Sequence, residues 1–357
     1  MKTYIKFLFF TFSKSFFYVV LTMFSLVFII NLLSEIDFFK EINVSTWFVL
    51  YLALINSPSI IFEMFPFIFL ISTQLFFLKL FKNNEFQIFK YSGLKNTKIL
   101  SVAAICTLVI SFVLVSLFYN FSSKFKNIYL EIKSNYSNDS KYLAVITKNG
   151  LWIKDKIDQK NLIINANQIE DFFLINALIT EFDDDYRVIR SIKSKKININ
   201  NNNWIIYNPT IIEKNINRSE NILELQTNFD YKKIQTLFSN LSSLSFFRLI
   251  ELKNNYKLLN FSTTEIDVHL QKIISFPFYL VMMTILSGII MLMTTNMKSF
   301  TLKIGIGFML AVIIYYFNNF FNVLGTTQKI SYISSVWIPL IVLGLINSYI
   351  LVDINEK

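Results

Sequence analysis

The sequence holds one cysteine, Cys106, and one histidine, His269. A single thiol excludes an intrachain disulfide, and one residue of each kind excludes a Cys/His zinc cluster. Cys106 lies inside an apolar run and reads as a small buried hydrophobe. His269 follows Glu265 and Asp267 and precedes an apolar stretch, so an interfacial polar residue is expected there rather than a catalytic base. No G-x-S-x-G turn accompanies it. The chain has seven glycines, and none falls in the GxxxxGK[ST] pattern of a phosphate loop, so ATP is not bound by this chain in that way. Paired carboxylates do not stand out. Asp183-Asp184-Asp185 reads as a turn, with a cation site as the alternative. No small-residue cleavage site follows the first apolar run, which is therefore expected to remain as a span.

What is present is apolar. Of 357 residues, 54% are hydrophobic and 17% aromatic, and the mean hydropathy is +0.48. Those values point to membrane spans rather than a soluble domain. The net charge is +10. Lys124–Lys272 carries 21 basic and 17 acidic residues, which leaves 13 basic and 7 acidic residues for the rest, mostly in short loops beside apolar segments. The excess is topological and not a nucleic-acid footprint.

Six spans are expected. The first is Ser15–Ser34, uncharged and long enough to cross a bilayer. Lys2, Lys6 and Lys14 precede it, and Glu35, Asp37 and Glu41 follow, which places the N-terminus inside. Splitting Ile42–Phe62 from Met64–Leu78 would put a lysine-rich loop outside. The reading adopted is an interfacial helix near Trp47–Ile55 and then one span, Pro58–Leu80, with Pro58 at its start and a kink at Pro66. The third span is Ile99–Ser123. The fourth, Ile273–Asn296, follows a capping box at Ser262-Thr263-Thr264-Glu265. The fifth lies in Ile304–Leu324 and the sixth in about Ile330–Val352, with Pro339 inside. Short inside segments then carry eleven lysines (Lys2, Lys6, Lys14, Lys79, Lys82, Lys90, Lys95, Lys98, Lys298, Lys303 and Lys357), and outside ones carry two, Lys40 and Lys329. Both termini fall in the cytoplasm.

Between the third and fourth spans lies a polar insert, 124–260. It alternates with period two in YLAVIT and NLIINANQI, and Trp204–Tyr207 is a further strand. Asn149-Gly150 is expected to join Tyr142–Thr147 to Leu151–Lys154 as a hairpin. Asn200–Asn203 is a turn, and Leu241–Asn260 has a helical pattern. Short strands at this spacing suggest a sandwich or open barrel. The division is 1–123, 124–260 and 261–357, with the insert outside the cytoplasm and hence periplasmic in a double-membrane bacterium.

Lys79–Lys98 organises the cytoplasmic side. It sets five lysines against one acid, Glu85. Phe86, Ile88 and Phe89 form an apolar block with charges opposite, and Gly93 is a helix stop. A short amphipathic helix below the bilayer is a handle for a cytoplasmic motor protein.

With these residues in place, the whole chain resembles the LptF/LptG family of lipopolysaccharide export permeases. MFPFIFLISTQLFFLKLFKNNEFQIFKYSGL is similar to the family's proline-containing second helix, acidic residue and Ser/Ala-Gly-terminated helix, with Glu85, Ser92 and Gly93 on that pattern. GLWIKD, Gly150–Asp155, resembles a strand of the LptG branch, and LSFFRLIELKNNYKLLN resembles the segment before the fourth span. Pro277 and Pro339 also match. The resemblance implies an α-helical membrane protein of six transmembrane helices in a 3+3 arrangement, with an inserted all-β periplasmic jellyroll-like domain. It implies an LptF-like permease partner, a cytoplasmic LptB-like ATPase dimer that holds the ATP and Mg, and an LptC/LptA-like bridge. No cofactor is expected in this chain. Glu85, Phe86, Ile88, Phe89, Tyr91, Ser92 and Gly93 would couple to the ATPase. The first and fifth spans would form gates for lipopolysaccharide, making Asn31, Lys40, Glu63, Asn318 and Asn319 candidate cavity or gate residues. The first span has no basic residue in its outer half, where the family would meet a phosphate-bearing lipid; Asn31 is the polar group there. Alternatives are the LptF-like subunit, a permease for another lipid or for lipoproteins, and a membrane-anchored periplasmic enzyme.

Overall fold

The computed structural model describes residues 3–42, 44–134, 136, 151–157, 160–170, 172–183, 187–213, 216–231, 234, 240–258, 262–295 and 299–356. The chain divides into two compact units, 1–126 with 264–357, and 127–263. Among the described residues, six helices are long and apolar enough to cross a membrane, and an antiparallel β region lies between the third and fourth of them.

The helical unit starts with α1, Thr3–Phe38, and α2, Thr46–Lys82. The expected break before Pro58 is absent. Ser45 caps α2 instead, its hydroxyl accepting from Phe48 N at 3.3 Å, and Pro58 and Pro66 both lie inside one helix. Pro58 has no N–H to give the carbonyl of Leu54; the serine hydroxyls beside it bond other carbonyls of the neighbouring turns. Ser57 Oγ donates to Ala53 O at 2.6 Å, and Ser59 Oγ to Asn56 O at 2.8 Å. α3, Glu85–Tyr91, follows a two-residue turn. α4, Asn96–Val113, continues through a π-helical turn, Leu114–Phe118, into α5, Tyr119–Ser134. α6, Phe246–Leu258, belongs to the second unit, and the helical unit resumes with three more candidate spans: α7, Thr264–Met293; α8, Phe300–Thr326; and α9, Tyr332–Glu356.

α2 and α7 form the centre of this unit, with 61% of the most apolar stretch of each buried, against 22% in α1 and 17% in α8. In a membrane, helices gain little from hiding apolar groups from each other. Small residues and polar clasps therefore set their approach. Gly288 of α7 lies against Leu100 and Phe77. Ser287 Oγ donates to Leu70 O at 2.6 Å, and the hydroxyls of Thr107 and Thr284 are 2.9 Å apart. Asn347 Nδ2 of α9 donates to Met282 O at 3.0 Å. Aromatic rings fill the rest, with Phe16 at 4.7 Å from Phe69 and Phe62 at 4.7 Å from Phe276.

The β unit contains β1 (Leu151–Ile157), β2 (Lys160–Glu170), β3 (Phe173–Phe182), β4 (Val188–Asn198), β5 (Asn203–Tyr207), β6 (Thr210–Glu213), β7 (Ile216–Ser219) and β8 (Ile222–Gln226). All eight belong to one antiparallel sheet, ordered β1-β2-β3-β4-β5-β8, with β6 also on β4 and β7 on β6. Leu151, Ile153, Leu162, Ile164 and Ala166 alternate inward, as the period-two pattern requires. Asn176, at φ 50°, steps the inward set from Leu174 to Ala177 and Ile179. β4 forks: Ser191–Lys193 pairs with β6, and Lys196–Asn198 pairs with β5. Ser194 stitches the fork, donating to Tyr207 O at 2.6 Å and accepting from Lys196 N at 3.1 Å. Trp204 is fully buried and its indole donates to Phe229 O at 2.8 Å. Glu181, 1% exposed, is paired with Arg190 at 2.6 Å and Lys160 at 3.8 Å. Tyr142–Thr147, Asn149-Gly150, Asp184, Asp185, Lys2, Lys298 and Lys357 lie outside the described residues.

Candidate functional site

The connection between α2 and α4 is built around two left-handed residues. Asn84 has φ 58° and Gly93 has φ 80°, a conformation that asparagine tolerates and glycine adopts freely. They turn the chain into and out of the seven-residue α3. Asn83 Nδ2 donates to Glu85 Oε1 at 3.2 Å, while Glu85 Oε2 is shielded and has no hydrogen-bond partner among the described residues.

The two faces of α3 differ. Phe86 is buried, with its ring 4.9 Å from Phe81 and 6.5 Å from Phe77 of α2. Phe89 is half-buried and its ring lies 6.0 Å from Phe7 of α1. The Lys90 ammonium covers Phe86 at 5.6 Å, within range of a cation–ring contact. Ile88 and Tyr91 are 62% and 88% exposed, and Ser92 and Gly93 are exposed with them. The expected single block of Phe86, Ile88 and Phe89 is therefore divided. The two phenylalanines root the helix in the bundle, and Ile88 and Tyr91 stand on the opposite face. Residues three apart share a helix face, which groups Glu85, Ile88 and Tyr91.

Apart from Asn318 and Asn319, which are consecutive in α8, no hydrogen bond or ion pair joins the cavity and gate candidates among the described residues. Asn31 is taken up in packing: its Nδ2 donates to Ala53 O at 2.8 Å, and its Oδ1 accepts from Asn56 Nδ2 at 3.0 Å. Lys40 and Asn319 are exposed. Asn318 is half-buried and neighbours the Tyr279 hydroxyl. Glu63, 66% exposed, faces Lys126 Nζ at 3.8 Å.

Around Glu63 the structure assembles a group that the sequence reading did not. Tyr119 Oη lies 3.2 Å from His269 Nε2, and the Tyr119 ring is 5.2 Å from Phe62. Lys272 is within electrostatic reach of Glu63 and His269. Three helices contribute: α2, α5 and α7. The available signal was helical spacing, since Tyr119 and Lys126 are seven apart and His269 and Lys272 three apart. Such a group can hold an anion between two lysines, or serve as a water-facing ion-pair cluster.

The model of one protein family, described as lipopolysaccharide export system permease LptF/LptG, matches residues 6–352. No curated protein matches the chain significantly.

Proposed function

Because the chain belongs to the LptF/LptG family of lipopolysaccharide export permeases, we propose that it is the LptG-like transmembrane subunit of an ABC transporter. Its work is to let lipopolysaccharide leave the inner membrane toward a periplasmic β-jellyroll bridge. A separate cytoplasmic ATPase, bound as a dimer, supplies the energy, and an LptF-like permease completes the membrane pathway. Both termini lie in the cytoplasm and the β unit in the periplasm, in keeping with eleven inside lysines against two outside. The strand carrying Leu151–Asp155 favours the LptG-like assignment.

One observation carries the coupling role. α3 is fastened to α1 and α2 by Phe89 and Phe86, yet it presents Ile88 and Tyr91 outward. An exposed aromatic and an aliphatic residue on a firmly rooted helix form a docking ridge. Glu85 begins that ridge and Gly93 ends it. The ATPase moves α3, and rigid helices transmit the movement. The Glu63–Lys126–His269–Lys272 group is the favoured place for an acidic headgroup on the other side, with Asn318 and Asn319 nearer a gate in α8.

Co-purification with the ATPase, followed by lipid identification in the eluate, tests this reading. Glu85→Lys and Gly93→Val are expected to lose the ATPase while the wild type retains it and carries lipopolysaccharide. Valine at Gly93 is strained whatever the space around it, because φ is +80°. Recovery of the ATPase at wild-type strength with both variants refutes the docking role.

A further inference from the structure

The fifth candidate span, α8, is lightly held. Its buried residues are Lys303, Gly307, Ala311 and Gly325, so three follow one another at four-residue steps near one end and the next comes fourteen residues later. The first of them is a lysine only 6% exposed. A buried ammonium needs compensation, and among the described residues no ion pair provides it. Its Nζ instead lies 5.6 Å from the centre of the Phe81 ring, with Thr295 O at 3.5 Å. Phe81 is the α2 residue whose ring meets Phe86 of α3 edge-on at 4.9 Å.

A second α2 residue holds the same point of α8. Gln74 is fully buried, and its Nε2 donates to the backbone oxygen of Lys303 at 3.0 Å. Its Oε1 has no hydrogen-bond partner among the described residues, a cost that buried polar groups ordinarily avoid. The amide fits only because position 307 is glycine: a methyl group there would collide with the Gln74 amide. So α2 grips α8 at Lys303 twice, by a hydrogen bond to its backbone and by an aromatic ring under its charge.

We propose that Lys303 is the positioning residue through which α3 sets the placement of α8, along the line Phe86–Phe81–Lys303, with Gln74 and Gly307 fixing the pivot. This deepens the reading of α3 as the ATPase-docking helix and rests on it for its energy source. A push on the exposed face of α3 moves Phe86, Phe86 moves the Phe81 ring, and the ring carries the ammonium and the helix behind it.

The mechanical link is testable on the full chain alone, in nanodiscs, by pulsed EPR between spin labels at Lys79→Cys and Met309→Cys in a Cys106→Ser background. The unaltered line should give one narrow distance distribution. Lys303→Met, Phe81→Leu and Phe86→Ala should each broaden or shift it, Lys303→Arg should restore it, and the Phe81→Leu/Lys303→Met pair should be no worse than either single change. Gly307→Ala should reproduce Gln74→Ala. The second arm uses the permease complex with its ATPase in lipopolysaccharide-containing vesicles. There Lys303→Met should leave ATP turnover unchanged and lower lipid released per ATP by about three- to thirtyfold, the span from an exposed to a desolvated cation–ring contact. Unchanged distances in all variants, multiplying losses in the pair, or failure of arginine to rescue overturns the proposal. If the wild type fails to retain the ATPase, the docking reading falls, while the EPR arm still decides the link between α3 and α8.

Discussion

Phe86 and Tyr91 sit five residues apart on one short helix and face opposite fates. Phe86 is 6% exposed, among Phe77, Phe81 and Lys90; Tyr91 is 88% exposed. Deleting a buried phenyl ring leaves a void, so Phe86→Ala is expected to destabilise the helical unit by about 3 kcal/mol, visible as a lower melting temperature in detergent. Tyr91→Ala should leave that temperature unchanged and weaken ATPase binding by about tenfold or more, as loss of an exposed aromatic anchor does, measured by titration of labelled ATPase. Equal effects from the two variants would mean that α3 has no inner and outer face. The sequence put Ile88 with the phenylalanines because seven residues make only two turns, and periodicity cannot be phased over so short a length. The neighbouring α2 rings, which decide the phase, are distant in pattern though close in space.

Among the elements, α2 teaches most about what a sequence reveals. Its apolar length was plain, since Pro58–Leu80 carries only Glu63 and Lys79 as charges, few enough for a span. Its start was not. Pro58 reads as a first-turn residue, yet the helix begins twelve residues earlier at Thr46. The start is set locally by the Ser45 cap, whose hydroxyl accepts from Phe48 N, and α1 braces the turn before the proline. Asn31 Nδ2 of α1 holds Ala53 O, the carbonyl that Ser57 Oγ also reaches. Asn31 thus emerges as a clasp between helices, a role no single-sequence pattern announces. Asn31→Leu removes both of its hydrogen bonds and is expected to cost about 0.6–2 kcal/mol. Thermal unfolding of the purified chain measures this, with Asn56→Ala as the companion that removes only one of the Asn31 bonds, together with the 3.3 Å contact from Ser59 Oγ. An Asn31 change that alters lipid release but not stability would instead place this residue on the transport path.

For the whole molecule, the six-span, β-insert plan was legible because it rests on long apolar runs and on alternation, both averaged over many residues. The Glu63 group was not legible, because Tyr119, Lys126, His269 and Lys272 come from α5 and α7 and meet only after folding. The same scale explains the uneven burial of the spans. α1 and α8 keep most of their apolar surface uncovered within this chain, and long exposed apolar faces mark lipid or partner contact. Co-expression with an LptF-like permease should therefore raise the melting temperature of the chain by several degrees relative to its preparation alone, by mass action on the folded form. An unchanged value would assign those faces to lipid. In the β unit, the strand from Val188 to Asn198 answers to β3 along one side and to two different neighbours along the other. Such a strand opens only when most of the sheet opens. Its amides should be the last to take up deuterium, and sequence drift should gather instead at the rims, where β7 and β8 each answer to a single neighbour among the described residues.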